Sequence, residues 1–152
     1  MRKMIVLSVV LASATILLAD SSVQPLNIKP GLWEVTINMT FNGAGAPPGA
    51  RPRTTYRSCL KKEDLNKYPF ADPDKKCNYR VLSSTGSTME AQGTCTENDG
   101  TKADFKIRLD AVDSENVKGT GQLILSGAGG SLSGNYAGAG KWISASCPAN
   151  GR

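Results

Sequence analysis

From Trp33 the chain alternates without a break: Trp33, Val35, Ile37, Met39 and Phe41 fall on one side, and Glu34, Thr36, Asn38, Thr40 and Asn42 on the other. Period two with one apolar and one polar side marks an antiparallel strand with a single buried face. The pattern returns with Ala103, Phe105, Ile107, Leu109 and Ala111 set against Asp104, Lys106, Arg108 and Asp110. A further strand runs from Val117 to Ser126, where Gly119 and Gly121 share a face with Leu123 and Leu125. Arg53 to Cys59 predicts a short strand, β-branched at Thr54 and Thr55. Leu132 to Cys147 is glycine-rich at Gly134, Gly138 and Gly140 and carries Tyr136 and Trp142; such glycines mark bends or close backbone approach in a curled sheet.

Turn signals separate these runs at Pro30-Gly31, at Glu97-Asn98-Asp99-Gly100, at Asp113 to Asn116 and at Gly127-Ala128-Gly129-Gly130. A short polar lead precedes Pro30. Gly43 to Pro52 has no periodicity and reads as a mobile loop. Lys61-Lys62-Glu63-Asp64-Leu65 contains helix formers and then meets Tyr68-Pro69, which predicts one or two helical turns ending before the proline. Ala71 to Lys76 reads as a charged surface connection.

Cys77 to Cys95 folds about Gly86. If paired residues have numbers that sum to 172, Cys77 faces Cys95, Tyr79 faces Gly93, Val81 faces Ala91 and Ser83 faces Met89 on one face. Asn78 with Thr94, Arg80 with Gln92 and Leu82 with Glu90 occupy the other. This register predicts a Cys77–Cys95 disulfide, with a bulge as the way the pairing would shift near the turn. About seven strands result, most joined by short turns between sequence neighbours. The fold class expected is all-β: an antiparallel meander, curled or barrel-like, with one short helix, and a two-layer sandwich as the alternative.

The chain has 152 residues, the size of one ordinary domain. Residues 1–19 read as a secretory leader: Arg2 and Lys3 start it, Met4 to Leu18 is an apolar run of fifteen residues, and Ala19 offers a small residue at the cut. A membrane anchor is the alternative, but the run is shorter than the ~20 residues a span requires. Residues 20–152 then form a single domain holding all four cysteines, Cys59, Cys77, Cys95 and Cys147. An even number in an exported domain predicts oxidised pairs. With Cys77 paired to Cys95, Cys59 is left with Cys147 by elimination. A four-thiolate zinc site is disfavoured because no close C-x-x-C pair exists.

Without Arg2 and Lys3, 16 basic side chains stand against 13 acidic ones. The excess is concentrated between residues 51 and 80, which hold nine basic and four acidic side chains. Arg51, Arg53, Arg57, Lys61 and Lys62 form a candidate patch for an anionic ligand; the plainer reading is solvated charge balanced by Glu63, Asp64, Asp72 and Asp74. Nucleic acid is not expected, because no aromatics alternate with the basic residues.

Catalytic chemistry is sparse. The chain contains no histidine, which removes the usual proton shuttle and every Ser-His-Asp or Cys-His system. Glu63 with Asp64 and Asp72 with Asp74 lie in charged, solvated stretches, and Glu34 and Glu90 sit on polar strand faces. Gly119-Thr120-Gly121 lacks the third glycine of a dinucleotide loop, Gly140-Lys141 is followed by Trp142 where a phosphate loop needs Ser or Thr, and no Gly-x-Ser-x-Gly elbow is present. Neither a cofactor nor a metal is expected.

The ordered set Pro30-Gly31-Leu32-Trp33-Glu34-Val35, Cys59-Leu60, Glu63-Asp64-Leu65, the Gly86-centred pair Cys77 and Cys95, and Cys147-Pro148 resembles a family of secreted proteobacterial proteins known as a domain of unknown function. The chain departs from the family at Lys61-Lys62, where Thr-Pro is usual, and at Trp142 to Ser146, where Arg and Gly-Asp are usual. The resemblance implies a Gram-negative envelope location and brings no catalytic residues. The expectation is therefore a non-enzymatic protein, periplasmic or secreted and without a transmembrane span after cleavage. It would bind a small molecule, a lipid or an anionic envelope component; a structural or inhibitor-like module facing another periplasmic protein is the alternative.

Overall fold

The computed structural model describes residues 23–42, 53–70, 76–127 and 129–149. The leader 1–19, the loop 43–52 with Arg51, residues 71–75 of the charged connection and Ala128 of one turn lie outside the described residues. Seven strands form one antiparallel sheet: β1 (Gly31–Asn42), β2 (Arg53–Leu60), β3 (Lys76–Ser84), β4 (Thr88–Thr96), β5 (Lys102–Ala111), β6 (Asn116–Gly127) and β7 (Gly130–Ser144), in the order β2-β1-β7-β6-β5-β4-β3. β3 to β7 make the expected meander. β1 then inserts between β2 and β7, so the β2–β3 connection passes from one edge of the sheet to the other. All strands join a single sheet rather than two layers, and among the described residues β2 and β3 do not pair, so the sheet curls without closing.

The alternation read from the sequence sets which side faces inward. Trp33 is wholly buried and Val35 nearly so, while Asn38, Thr40 and Asn42 are exposed. The registers line inward residues into rows across the sheet: Phe41, Gly134, Leu123, Phe105, Gly93 and Tyr79 form one, and Met39, Tyr136, Gly121, Ile107, Ala91 and Val81 the next. Large residues alternate with glycines because the inner side of a curled sheet has less room for each side chain. A Cβ on Gly121 would lie 2.5 Å from the Tyr136 ring, and one on Gly93 would lie 2.6 Å from Phe105. Aromatic rings thus cover bare backbone on the neighbouring strand.

The β3–β4 hairpin keeps the expected register from Cys77↔Cys95 to Val81↔Ala91 and then slips by one, pairing Ser83 with Glu90 and Ser84 with Met89. The bulge falls at Leu82, which is left exposed instead of pairing with Glu90. Gly86 sits in the turn at φ +83°, a region that favours glycine. Both expected disulfides are present, Cys77–Cys95 with Cα atoms 4.0 Å apart and Cys59–Cys147 with 5.7 Å, and no described cysteine is free. The four-thiolate alternative therefore does not form.

The predicted helix reduces to a single 3-10 turn, Lys62–Asp64. Continuation as an α-helix would require the Leu65 carbonyl to accept from residue 69, which is a proline without an N–H. Leu26 N–H donates to that carbonyl instead, at 3.0 Å. Residues 65–70 are free to run across the concave face. Tyr68 stacks on Tyr79 at 5.1 Å, Phe70 meets Trp33 edge-on at 5.7 Å, and the Tyr56 hydroxyl donates to the Phe70 carbonyl at 3.1 Å.

The polar lead before Pro30 is also part of the core. Leu26 and Ile28 are buried at the end of the sheet where β1 begins, and Asn27 N–H donates to the Gly86 carbonyl at 2.7 Å. Beside them, Trp33 Nε1 donates to the Lys29 carbonyl and Trp142 Nε1 to the Pro30 carbonyl. Gly31 adopts φ +129°, and a Cβ there would run into the Ser144 carbonyl. The Pro30-Gly31-Leu32-Trp33 run is thus a tight entry that delivers Trp33 to the centre. Burying an indole hides about 200 Å², worth on the order of 5 kcal/mol.

Candidate functional site

The two ends of the concave face differ. At the base, where β1 and β6 begin and β5 ends, Leu26, Trp33, Leu60, Met89, Leu109 and Val117 are all at most 3% exposed. Burial then falls along the strands. On β1 it declines from Trp33 and Val35 to the half-buried Ile37, Met39 and Phe41, and on β6 from Val117 to the half-buried Leu123 and Leu125. Leu132, at the start of β7, pairs with Leu125 and is half-buried as well. The N-terminal segment covers the base. Opposite it, the apolar row continues to a mouth whose residues keep part of their surface in solvent.

Between base and mouth a void of about 30 Å³ is lined, among the described residues, by Tyr56, Tyr68, Tyr136 and aliphatic neighbours, room for about one water. Burial, with smaller contributions from neighbouring tyrosines, holds the Tyr68 hydroxyl well above the usual tyrosine range; burial likewise raises Tyr136, helped by Tyr56. These hydroxyls stay protonated at neutral pH. They can donate hydrogen bonds, as Tyr136 does weakly to the Lys106 carbonyl at 3.4 Å, and they are not poised as bases.

The basic residues singled out in the sequence are placed along an edge. Arg53 and Arg57 stand on the exposed face of the edge strand β2, with Arg57 Nε 3.8 Å from Glu34 Oε2. Lys61 and Lys62 are exposed beyond the end of that strand, and Arg51 lies outside the described residues. Eight residues of extended chain span roughly 26 Å. Arg53 and Lys61 therefore do not converge on one small ligand. Charged edges of this kind also discourage strand-to-strand aggregation.

The carboxylates do not gather either. Glu34 on β1 and Glu90 on β4 are separated by β7, β6 and β5, and each faces an arginine, Arg57 and Arg108 respectively. Among the described residues no three Cys, Asp or Glu side chains are arranged to hold a metal.

Phe41, Leu123 and Leu125 were legible as sharing the apolar side of their strands, but not as a site. What sets them apart is lower burial than the base, which Leu26, Ile28, Leu65 and Phe70 cover. An all-β, disulfide-stapled domain built on one curled sheet is the class that these features define. The chain belongs to the DUF3617 family, described as a protein of unknown function, whose family model matches residues 28–147 and so spans both disulfides and all seven strands. No curated protein and no solved structure matches the chain. Two disulfides point to an oxidising, extracytoplasmic environment, and no helix among the described residues is long and apolar enough to cross a membrane.

Proposed function

We propose that this chain is an exported, non-enzymatic periplasmic module that binds a small apolar molecule, a lipid chain foremost, at the mouth of its curled sheet. The observation that carries the reading is the loss of burial along the concave face, from the closed base at Trp33 and Val117 to the half-buried Phe41, Leu123, Leu125 and Leu132. Burying such residues gains about 25 cal/mol for each Å² of apolar surface removed from water. The void of about 30 Å³ among Tyr56, Tyr68 and Tyr136 is too small for such a molecule, which favours a position across the mouth.

Export is supported by the basic and apolar leader in the sequence and by the paired cysteines. Binding without catalysis is supported by the lack of histidine and by the dispersed carboxylates. The rival reading as a protein-interaction module rests on Val23, Leu82, Val112, Ile124 and Ile143, exposed on five different segments of the chain.

Native mass spectrometry of protein purified from the periplasm, followed by titration with a fluorescent fatty acid, tests the reading. A copurifying apolar ligand, and probe binding weakened at least tenfold by Phe41→Asn with Leu123→Asn, is the expected result. Absence of both a retained ligand and probe uptake would sink it.

A further inference from the structure

The outer face of the sheet carries a second arrangement, made by register rather than by sequence adjacency. The ladder sets Lys76, Thr96 and Lys102 side by side, and two residue pairs further along it on the same face sets Arg80, Gln92 and Lys106 side by side. Lys76 and Arg80 therefore stand on β3, Lys102 and Lys106 on β5, and β4 between them offers only neutral side chains at these rows. Across the sheet the cations are two strand spacings apart, roughly 10 Å, and along it four residues apart, roughly 13 Å.

Three other exposed cations of the fold stand beside acids. Arg108 meets Glu90 and Asp110, Lys29 meets Glu115, and Arg57 faces Glu34. Lys76, Arg80, Lys102 and Lys106 make no side-chain hydrogen bond or ion pair with another described residue. The nearest carboxylate on this face, Asp104, accepts instead from the Thr94 hydroxyl at 2.5 Å. An open cleft of about 550 Å³ runs over the same face, with Arg80 and Lys106 in its walls and Gln92, Thr94, Gln122 and the Asp104 carboxylate along it.

We propose that this trough binds an anionic oligosaccharide. The four cations take carboxylate or phosphate groups carried on the sugars, and the amides of Asn78, Gln92 and Gln122 take ring hydroxyls. Each amide offers both a donor and an acceptor, which suits a hydroxyl that is both. Spaced cations around a hydrogen-bonding floor whose one carboxylate, Asp104, is engaged by the Thr94 hydroxyl suit a charged chain lying flat. A membrane surface would favour apolar side chains beside the cations, and Ile124 alone supplies an exposed one at this cleft. The site is independent of the mouth, which opens on the other face of the sheet.

Affinity measurements with a short oligogalacturonide and with a phosphorylated oligosaccharide, against neutral dextran oligomers, phosphatidylglycerol vesicles and an acidic peptide, test the assignment. Binding of either anionic sugar, absent with dextran, is expected to weaken at least tenfold in Arg80→Glu with Lys106→Glu and about threefold in Gln92→Ala. Arg53→Glu with Arg57→Glu should leave it unchanged. If the glutamate pair fails to fold, Lys76→Gln with Lys102→Gln provides the same reading at the other row. Unaltered sugar binding in these variants, or binding to the vesicles or the peptide but to neither sugar, would overturn the proposal.

Discussion

Phe105 stands directly across the ladder from Gly93, and its ring occupies the space where a side chain on Gly93 would begin. Tyr136 stands in the same relation to Gly121, across the β6–β7 ladder. A methyl group at either glycine must push an aromatic ring and would also meet a neighbouring-strand carbonyl, that of Asn78 or of Lys106; the Phe105 ring is itself packed, 5.4 Å from Tyr79 and 6.3 Å from Tyr68. Gly93→Ala should therefore lower stability by about 1–3 kcal/mol. Gly129→Ala, with open space around it, should stay within about 0.5 kcal/mol. Urea unfolding of the two variants checks the contrast.

Gly31→Ala should cost more than either. It combines a backbone conformation that side chains rarely adopt with a collision at the Ser144 carbonyl, and about 2–4 kcal/mol is expected. Because Gly31 sets the entry of Trp33, the loss should be accompanied by a red shift of tryptophan fluorescence in the folded state. Unchanged emission with unchanged stability would show that the Pro30-Gly31 turn does not position Trp33.

The two disulfides close loops of very different length, with sequence separations of 88 and 18 residues. On the chain-entropy account the long loop contributes about 4.6 kcal/mol and the short one about 3.2 kcal/mol. Replacing Cys59 and Cys147 by serine should thus lower the urea midpoint more than replacing Cys77 and Cys95. Equal losses would show that native contacts, and not loop closure, dominate.

Stability should also fall in alkali. Tyr68 and Tyr136 have folded-state values above the unfolded tyrosine value of about 10. The native state accordingly keeps protons that the unfolded chain releases. Their contribution is fully present below pH about 10 and is lost as pH rises through the folded values. Tyrosinate absorbance from these two residues should appear together with loss of the far-ultraviolet β signal. Tyr68→Phe with Tyr136→Phe should reduce the alkaline slope, and no change in it would refute the assignment.

Much of the strand content was open to reading because alternation is local. Trp33 to Phe41 and Ala103 to Ala111 declare their inward side through neighbouring residues alone, and the cysteines anchor the β3–β4 register up to the bulge at Leu82. The partner of β1 was less accessible. Nothing local says that it pairs with β7, although Gly134, Gly138 and Gly140 fall opposite Phe41, Ile37 and Val35 as small complements to large residues. Leu26 and Ile28 were hidden in a polar context, and Leu65, Tyr68 and Phe70 in a charged one, because their burial comes from distant strands. The same limit applies to charge: proximity in the chain singled out Arg53 to Lys62, whereas the sheet brings Lys76 and Arg80 beside Lys102 and Lys106.

The seam between β1 and β7 joins the first strand of the sheet to its last. A nascent chain emerging N-terminus first can form the β1–β2 hairpin early, yet one flank of that hairpin keeps its backbone groups unsatisfied until Gly130–Ser144 arrives. During that interval Trp33 and its apolar row have no lasting shelter, and a holding chaperone has a natural place to act. Completion is therefore all-or-none with respect to the tail, and a chain cut short before β7 would be expected to fall to proteases and not to linger half-assembled.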